Sequence, residues 1–500
     1  MKNIVRQTIY FILMTASLYI IFLTSLPIVQ KIMAAAVYIA VIGSVSYVLM
    51  LENRSPYKTL LWLYVLLFFP LGGYIFFIYS GQLQVKGHLF KNKLAYSKDA
   101  ITRYVSSRYS LKWKDWGASE QGLMRLIEKR AIAPVSFHTR TDIIKNGEEK
   151  FAVLFEELEK ARRFIHMEYY IFRDDEVGNE LMNLLLKKAA EGVEIRLIYD
   201  AIGSLTLSGK SIRKLQEGGI KLHSFLPIKH GFFNQKLNFR NHRKIVVIDG
   251  HTGFVGGLNV GDEYLGRNPK FGFWRDTHVK MHGEAVRNLH AIFLVDWAYV
   301  DGENLFSEDY LSAPVTREDG GVQVVASGPD MPQGTMGDLY YSLISEAQES
   351  IWIATPYFVP SKPIRQALRM AAAKGVEVKL LVPEKNDSLL TQYATRSYFG
   401  ELLSEGVEVH LYQRGFLHQK VIIADGKMAS IGTANMDLRS FNLNFEVNLF
   451  LYHTLSVHQL IANYREDMKD SLNVNLQRFQ KRSLWIRSKE SFARLFSPIL

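Results

Sequence analysis

Phe416–Asn435 reads FLHQKVIIADGKMASIGTAN, and the same pattern stands earlier in the chain as FRNHRKIVVIDGHTGFVGGLN, Phe239–Asn259. Laid over each other, His418, Lys420, Asp425, Gly432 and Asn435 fall on His242, Lys244, Asp249, Gly256 and Asn259, each pair 176 positions apart. The spacing H-x-K-x4-D-x6-G-x2-N is kept without a gap. In both copies the run after the lysine is apolar and mostly β-branched (Ile245–Ile248, Val421–Ala424) and closes in Asp-Gly. That pattern predicts a buried strand ending in a tight turn. On a strand, positions i and i+2 share a face, so each copy presents an imidazole beside an ammonium. Two copies packed together would pool two histidines and two lysines. Such a pocket holds a nucleophile, a second imidazole for proton transfer and fixed positive charge for a phosphoryl group. The plainer alternative, a histidine that merely caps a strand end, does not explain why the whole pattern occurs twice.

The duplication extends beyond the motif. Phe164–Phe172 reads as a strand, Asp175–Glu191 as an amphipathic helix and Val193–Ile198 as the next strand. The same order returns as Ile351–Phe358, Lys362–Lys374 and Val376–Leu381, and AAEGVEIRLI is echoed by AAKGVEVKLL. EGGIKL (217–222) has its counterpart in SEGVEVHL (404–411). Two copies of one α/β unit are expected, not a solenoid. Ile228–Lys236 is an insertion of the first copy, placed to overhang the pocket or to run as a surface loop.

Downstream of each motif a further strand begins with a carboxylate, Asp276 in the first copy and Glu446 in the second. A carboxylate on the far ring nitrogen fixes a histidine's tautomer and stabilises its cation, so these two are the candidates for that role. Asp249 and Asp425 complete the catalytic motif on paper. Their odd offset from the histidines turns them off the imidazole face, so they are expected to hold the turn and act only indirectly. Asn259 and Asn435 can donate amide hydrogens to phosphate oxygens, and Thr433 adds a hydroxyl that Gly257 lacks in the first copy.

Composition narrows the class. Cysteine is absent from the 500 residues, which excludes disulfides and thiolate metal sites. The net charge is +11, of which residues 1–80 carry +4 and the remainder +7. That is too thinly spread for a nucleic-acid groove and suits an anionic membrane surface. Three apolar runs, Thr8–Val29, Ile32–Leu51 and Leu60–Tyr79, predict two or three membrane spans, separated by Gln30-Lys31 and by the polar break 52–58. The first run is long for a signal peptide and lacks a cleavage pattern. Lys86, Lys91, Lys93, Lys98, Arg103, Arg108, Lys112 and Lys114 follow the last run, which puts the catalytic part on the cytoplasmic side. This basic linker, with Tyr104, Tyr109, Trp113 and Trp116, reads either as a headgroup-facing segment or as a solvated one. From Arg478 to Leu500 cations again mix with Leu484, Trp485, Phe492, Leu495 and Phe496, as an interfacial helix or as a helix packed on the domain. His166, His223, His230, His278, His282 and His410 form no ligand spacing, and neither H-E-x-x-H nor a Walker pattern occurs.

The paired motifs resemble those of the phospholipase D superfamily, and the chain from its apolar runs to its tail is similar to the bacterial cardiolipin synthases within it. In place of the Gly-Ser typical of that superfamily, this sequence has Gly256-Gly257 and Gly432-Thr433. The resemblance implies two phospholipase D-like α-β-α domains facing each other, after an N-terminal transmembrane region. In these terms residues 1–80 are membrane helices, 81–130 a basic juxtamembrane linker, 131–315 and 316–482 the two domains, and 483–500 a basic amphipathic tail. It further implies a phosphatidyltransferase that needs no metal or other cofactor and does not bind nucleic acid. Two phosphatidylglycerols, in a membrane rich in anionic lipid, would give cardiolipin and release glycerol. His242 would be the nucleophile and His418 the acid/base; the symmetry of the motifs alone does not order them. Lys244, Lys420, Asn259 and Asn435 would steady the phosphoryl oxygens. A hydrolase would share every one of these residues, a nuclease would want a basic groove, and a non-enzymic scaffold would not need the histidines at all.

Overall fold

The computed structural model describes residues 2–51, 56–80, 90–104, 116–227, 238–316, 319–331, 334–498 and 500. The insertion Ile228–Lys236 lies wholly outside them, as do Lys86, Arg108, Tyr109, Lys112, Trp113 and Lys114 of the basic linker. The described residues divide into two compact units, the first holding those up to residue 91 together with Asn238 and the second the rest.

In the first unit, helices Lys2–Leu23 and Ile28–Leu51 are 22 and 24 residues long. At 1.5 Å per residue each reaches past the ~30 Å of a bilayer's apolar layer. Among the described residues these are the two helices long and apolar enough to cross a membrane. The break between them falls at Thr24–Pro27, earlier than the Gln30-Lys31 expected from charge, and Lys31 sits inside the second helix. Proline is the reason: Pro27 has no N–H with which to extend the first helix. Its carbonyl instead accepts the N–H of Gln30 at 3.0 Å and opens the second. The third apolar run is not one span. It forms Pro56–Phe68 and Pro70–Ser80, bent at Pro70, and each is too short to cross. The indole of Trp62 meets the rings of Phe76 and Phe77 at 5.5 and 5.3 Å. In a straight helix those residues would be roughly 20 Å apart along the axis.

The second unit is built on two sheets of the same plan. The first has seven strands in the order Thr139–Lys145, Thr277–Gly283, Thr252–Gly256, Ile245–Ile248, Phe164–Tyr169, Glu194–Asp200 and Lys221–Phe225. The second runs Gly321–Ser327, Asn444–Tyr452, Met428–Gly432, Val421–Ala424, Ser350–Ala354, Glu377–Pro383, Glu408–Tyr412 and Ser471–Asn473. Strand for strand, the first seven match in position and direction. The motif strands Ile245–Ile248 and Val421–Ala424 are central and wholly buried, which is what uninterrupted β-branched runs require.

Two short strands cross between the halves. Arg240–Asn241, leading into the first motif, pairs in parallel with Asn444–Phe445, and Gly415–Leu417, leading into the second, pairs with Phe273–Arg275. Helix Val286–Val300 is buried along most of its length, as an element between two sheets must be. Helix Ala118–Ala131 falls in the stretch expected as linker. It buries Leu123, Met124 and Ile127 in the core of the second domain, far along the chain from its own position.

Several histidines that formed no ligand spacing are structural. His166 and His290 are fully buried and share a 2.8 Å hydrogen bond, and His278 is equally enclosed. Burial pushes His166 down from 6.5 to about 4, and holds His278 and His290 well below their ordinary range. The folded state then binds fewer protons than the unfolded one between about pH 6.5 and 4. Stability should therefore fall as pH drops through that window, by roughly 1.4 kcal/mol per unit for each such histidine. Thermal melts of the detergent-solubilised protein should show the midpoint declining steadily below pH 6.5.

Candidate active site

Each motif strand leads into a tight hairpin turn. Asp249 and Gly250 have φ of +54° and +77°, Asp425 and Gly426 +54° and +64°. Two successive positive φ values make the turn type that matches strand twist, and Asp-Gly is suited to it. The Asp249 carboxylate accepts the N–H groups of Arg162, Arg163 and Phe164 at 2.8–2.9 Å. Asp425 does the same for Gln348, Glu349 and Ser350. Both aspartates thus bind the turn to the start of the neighbouring strand. Seven residues of extended chain put them roughly 20 Å from the imidazoles, so they anchor the scaffold and take no part at the reacting atoms.

The histidines lie at the opposite end of these strands, where the halves interlock. His242 donates its backbone N–H to the carbonyl of Phe445 at 2.9 Å, and His418 to that of Arg275 at 2.7 Å. The rings are crossed in the same way: His242 Nδ1 meets Glu446 at 2.9 Å, and His418 Nδ1 meets Asp276 at 2.8 Å. Each imidazole is therefore oriented by the carboxylate of the other half. Both carboxylates are completely buried and the two histidines nearly so. With Nδ1 held by a carboxylate, Nε2 is the ring atom turned to chemistry at His242, while at His418 it lies 3.1 Å from Lys420 Nζ.

The lysines complete the cluster. Lys244 Nζ donates to the carbonyl of His242 at 2.8 Å, and Lys420 Nζ lies 3.0 Å from the ring of His418. Burial lowers the pKa of His242, and burial with the Lys420 charge takes His418 down to about 3. Lys420 is lowered by burial to about 8, against the pull of Asp276 and Glu446, and Lys244 falls well below its ordinary value. Burial would raise Asp276, but Lys420 and the His418 hydrogen bond hold it below the ordinary carboxylate value. Each histidine also feels the opposite half's lysine, Lys420 at His242 and Lys244 at His418. The two motifs share one electrostatic environment with neutral imidazoles.

The supporting polar residues are already partly engaged. Asn259 accepts from Ile171 N–H at 3.1 Å and donates to Tyr264 OH at 2.8 Å, leaving one amide hydrogen. Asn435 hydrogen-bonds Asp437, and its own Oδ1 is buried without a partner. Thr433 is a correction: its hydroxyl accepts from Val447 N–H at 2.9 Å and donates to the carbonyl of the same residue at 3.2 Å. It is locked into the sheet, not held out to a phosphate.

Gly257 explains why the first copy lacks that hydroxyl. A Cβ there would lie 2.1 Å from Asp276 Oδ1. Gly257→Thr should displace Asp276 from His418 and lower kcat by roughly a hundredfold, with KM much less affected, in a steady-state assay.

Sequence reasoning did not reach the aromatic wall. Tyr170 stands edge-on to His242 at 5.1 Å, and Trp274 packs on His418 at 5.0 Å with Tyr357 at 6.4 Å. The matching strand ends, EYYIF and TPYF, were the available signal. Nor did it find Arg243, which is buried, donates to the Glu446 carbonyl at 3.1 Å and pairs with Asp296. Lys93, expected in a basic linker, binds that same Asp296 at 2.8 Å and Asp330 at 2.5 Å.

The family model described as "Cardiolipin synthase, PLD-like domain" matches residues 154–297 and 340–469. The chain belongs to this family. It is 51% identical to the probable cardiolipin synthase YwiE of Bacillus subtilis (strain 168), with 93% of both chains covered. It is 48% identical to a cardiolipin synthase of Geobacillus sp. (strain WCH70) over 91% of each. A cardiolipin synthase of Alkalihalophilus pseudofirmus matches end to end at 44% identity. Among solved structures, phosphatidylserine synthase of Haemophilus influenzae Rd KW20 superposes with a TM-score of 0.58, covering 76% of this chain and 99% of that one. At 14% identity that likeness concerns the fold.

Proposed function

We propose that the chain is a membrane phosphatidyltransferase that makes cardiolipin from two phosphatidylglycerols through a phosphatidyl-histidine intermediate. The observation that carries the reading is the crossed pair of imidazoles, each held at Nδ1 by a buried carboxylate of the other half. Kinship with cardiolipin synthases supports the choice of lipid chemistry.

In the first step Nε2 of His242 attacks phosphorus, the bond to the departing glycerol oxygen breaks, and His418 gives that oxygen its proton. In the second, His418 takes the proton from the terminal hydroxyl of another phosphatidylglycerol, whose oxygen displaces His242. One phosphodiester replaces another, so no nucleotide is consumed. The assignment of nucleophile and acid follows the family resemblance. Lys244, Lys420, Asn259 and Asn435 face the phosphoryl oxygens, and Thr433 is set aside.

The electrostatics are consistent with a site that becomes active on binding. Without substrate both imidazoles are neutral, which suits a nucleophile but not an acid. An anionic phosphodiester about 4 Å away contributes roughly 4 kcal/mol at an effective dielectric of 20, or about three pKa units. That lifts His418 most of the way back toward its ordinary value, so that a fraction of the lipid-bound enzyme carries the proton. The aromatic wall keeps water from the phosphoryl-histidine, as transfer requires. The lysine and arginine excess after the apolar runs supports a cytoplasmic side for the catalytic part.

Purified protein incubated with radiolabelled phosphatidylglycerol and no nucleotide should release glycerol and form cardiolipin. Phosphatidic acid without cardiolipin would replace this reading with hydrolysis. A neutral detergent quench in mid-turnover, which spares the acid-labile phosphorus–nitrogen bond, should leave the label on the peptide containing His242.

A further inference from the structure

The C-terminal helix Leu484–Arg494 presents an apolar face that no part of the described chain covers. Leu484, Trp485, Phe492 and Leu495 are 76, 70, 62 and 74% exposed. At 100° per residue these four fall on one side of the helix, and Glu490 and Ala493 lie buried on the other. The exposure is not that of a loose end. Tyr398 OH bonds Ser497 Oγ at 2.7 Å, Arg439 N–H donates to the Leu500 carbonyl at 3.2 Å, and Arg482 pairs with Glu490 at 2.8 Å. The helix is anchored with its apolar side outward.

Cations frame that side. Residues 474–500 contain six, Arg478, Lys481, Arg482, Arg487, Lys489 and Arg494, against the single acid Glu490. Arg482 takes Glu490, and Arg494 reaches Glu401 at 3.5 Å. Arg478, Lys481 and Arg487 are exposed. Lys489 lies 5.1 Å over the Trp485 ring. Trp, Leu and Phe flanked by unneutralised cations match the boundary of an anionic bilayer, where indole sits at headgroup depth and lysine and arginine meet lipid phosphates. A protein partner would be favoured by a mixed-charge rim, which this face lacks.

The helix connects to the candidate catalytic residues through one neighbouring helix. It packs against Leu389–Arg396, whose first residue is 70% exposed on the same apolar theme. Two residues before Leu389, Asp387 accepts the hydroxyl of Tyr357 at 2.6 Å, and Tyr357 is the ring standing against His418. Leu500, at the end of the tail, holds Arg439, a few residues past Asn435.

We infer that Leu484, Trp485, Phe492 and Leu495, with Arg487 and Lys489, form a second membrane-docking surface that seats the catalytic cleft on anionic lipid, separately from the N-terminal helices. This deepens the proposed function and rests on it, since a lipid-diffusing substrate must pass from the bilayer to His242 and His418 without crossing water.

The chain's lack of cysteine makes the test direct. Phe492→Cys in the full chain carries a nitroxide, with Lys210→Cys on an exposed helix of the first domain as reference. Both are reconstituted in phosphatidylcholine vesicles with and without phosphatidylserine, which is not the proposed substrate. With phosphatidylserine, the label at 492 should collide several-fold more with oxygen and several-fold less with an aqueous nickel chelate than the label at 210. Raising salt, or the pair Arg487→Glu and Lys489→Glu, should reverse the shift. A label at 492 that stays water-exposed in both vesicles overturns the inference, and one shielded only in native membranes overturns it in favour of a protein partner. Cardiolipin formation by the same preparations in detergent micelles is read separately. Its absence with an inserted label would sink the proposed function and leave the docking surface standing.

Discussion

His242→Ala and His418→Ala should each lower kcat/KM for cardiolipin formation by about ten-thousandfold or more, and the double variant should be scarcely worse than either. In the proposed mechanism the two rings act on one phosphorus in one step, so removing either removes the step. Folding should survive. Both rings are buried and neutral, and alanine removes a desolvated polar group along with its packing. The two losses should differ in kind. Without its nucleophile the enzyme forms no covalent intermediate with any substrate. Without its acid, the first step should recover on a phosphatidyl ester with a good leaving group, such as p-nitrophenol, which departs without a proton. If alcohol-independent release of p-nitrophenol persists in His418→Ala and is lost in His242→Ala, the order of roles stands; the reverse pattern exchanges them.

The second large effect concerns residues that touch no substrate. Glu446→Gln and Asp276→Asn should each lower kcat by roughly a hundred- to a thousandfold with little change in KM, by loss of ring orientation and of support for the imidazolium. The crossing makes the effect diagnostic. Asp276 belongs to the first copy but holds His418 of the second, 142 residues away, and Glu446 holds His242 across 204 residues. The pH profile separates positioning from mere structure. Asp276 raises the pKa of His418 against burial and Lys420. Asparagine withdraws that support, so the protonated fraction at any pH falls and the alkaline limb of kcat/KM moves to lower pH. A purely structural role would scale the profile without moving it. Thermal melts of the same variants check that the folded fraction is intact.

These residues show what the sequence could and could not reveal. The motif was legible because it is local and written twice; Ile245–Ile248 and Val421–Ala424 could be nothing but buried strands between a reactive end and an Asp-Gly turn. The carboxylates could be nominated by matching position, yet no local pattern says which histidine each one serves. That depends on Arg240–Asn241 and Gly415–Leu417 pairing across the halves, a matter of topology. Thr433 was misjudged because a hydroxyl's availability depends on a backbone neighbour fourteen residues on. Composition overstated the third apolar run, where a single proline outweighs the hydropathy around it. Helix Ala118–Ala131 was hidden because its apolar partners lie in a core formed some two hundred residues later.

The crossed carboxylates also constrain how such a protein can change over time. A half separated from its sibling would keep its histidine and lose the group that aims it, so neither half is an enzyme in miniature. Gene duplication ordinarily frees one copy to drift toward a new task. Here each copy carries the carboxylate that orients the other's histidine, which ties the two to being inherited and altered together.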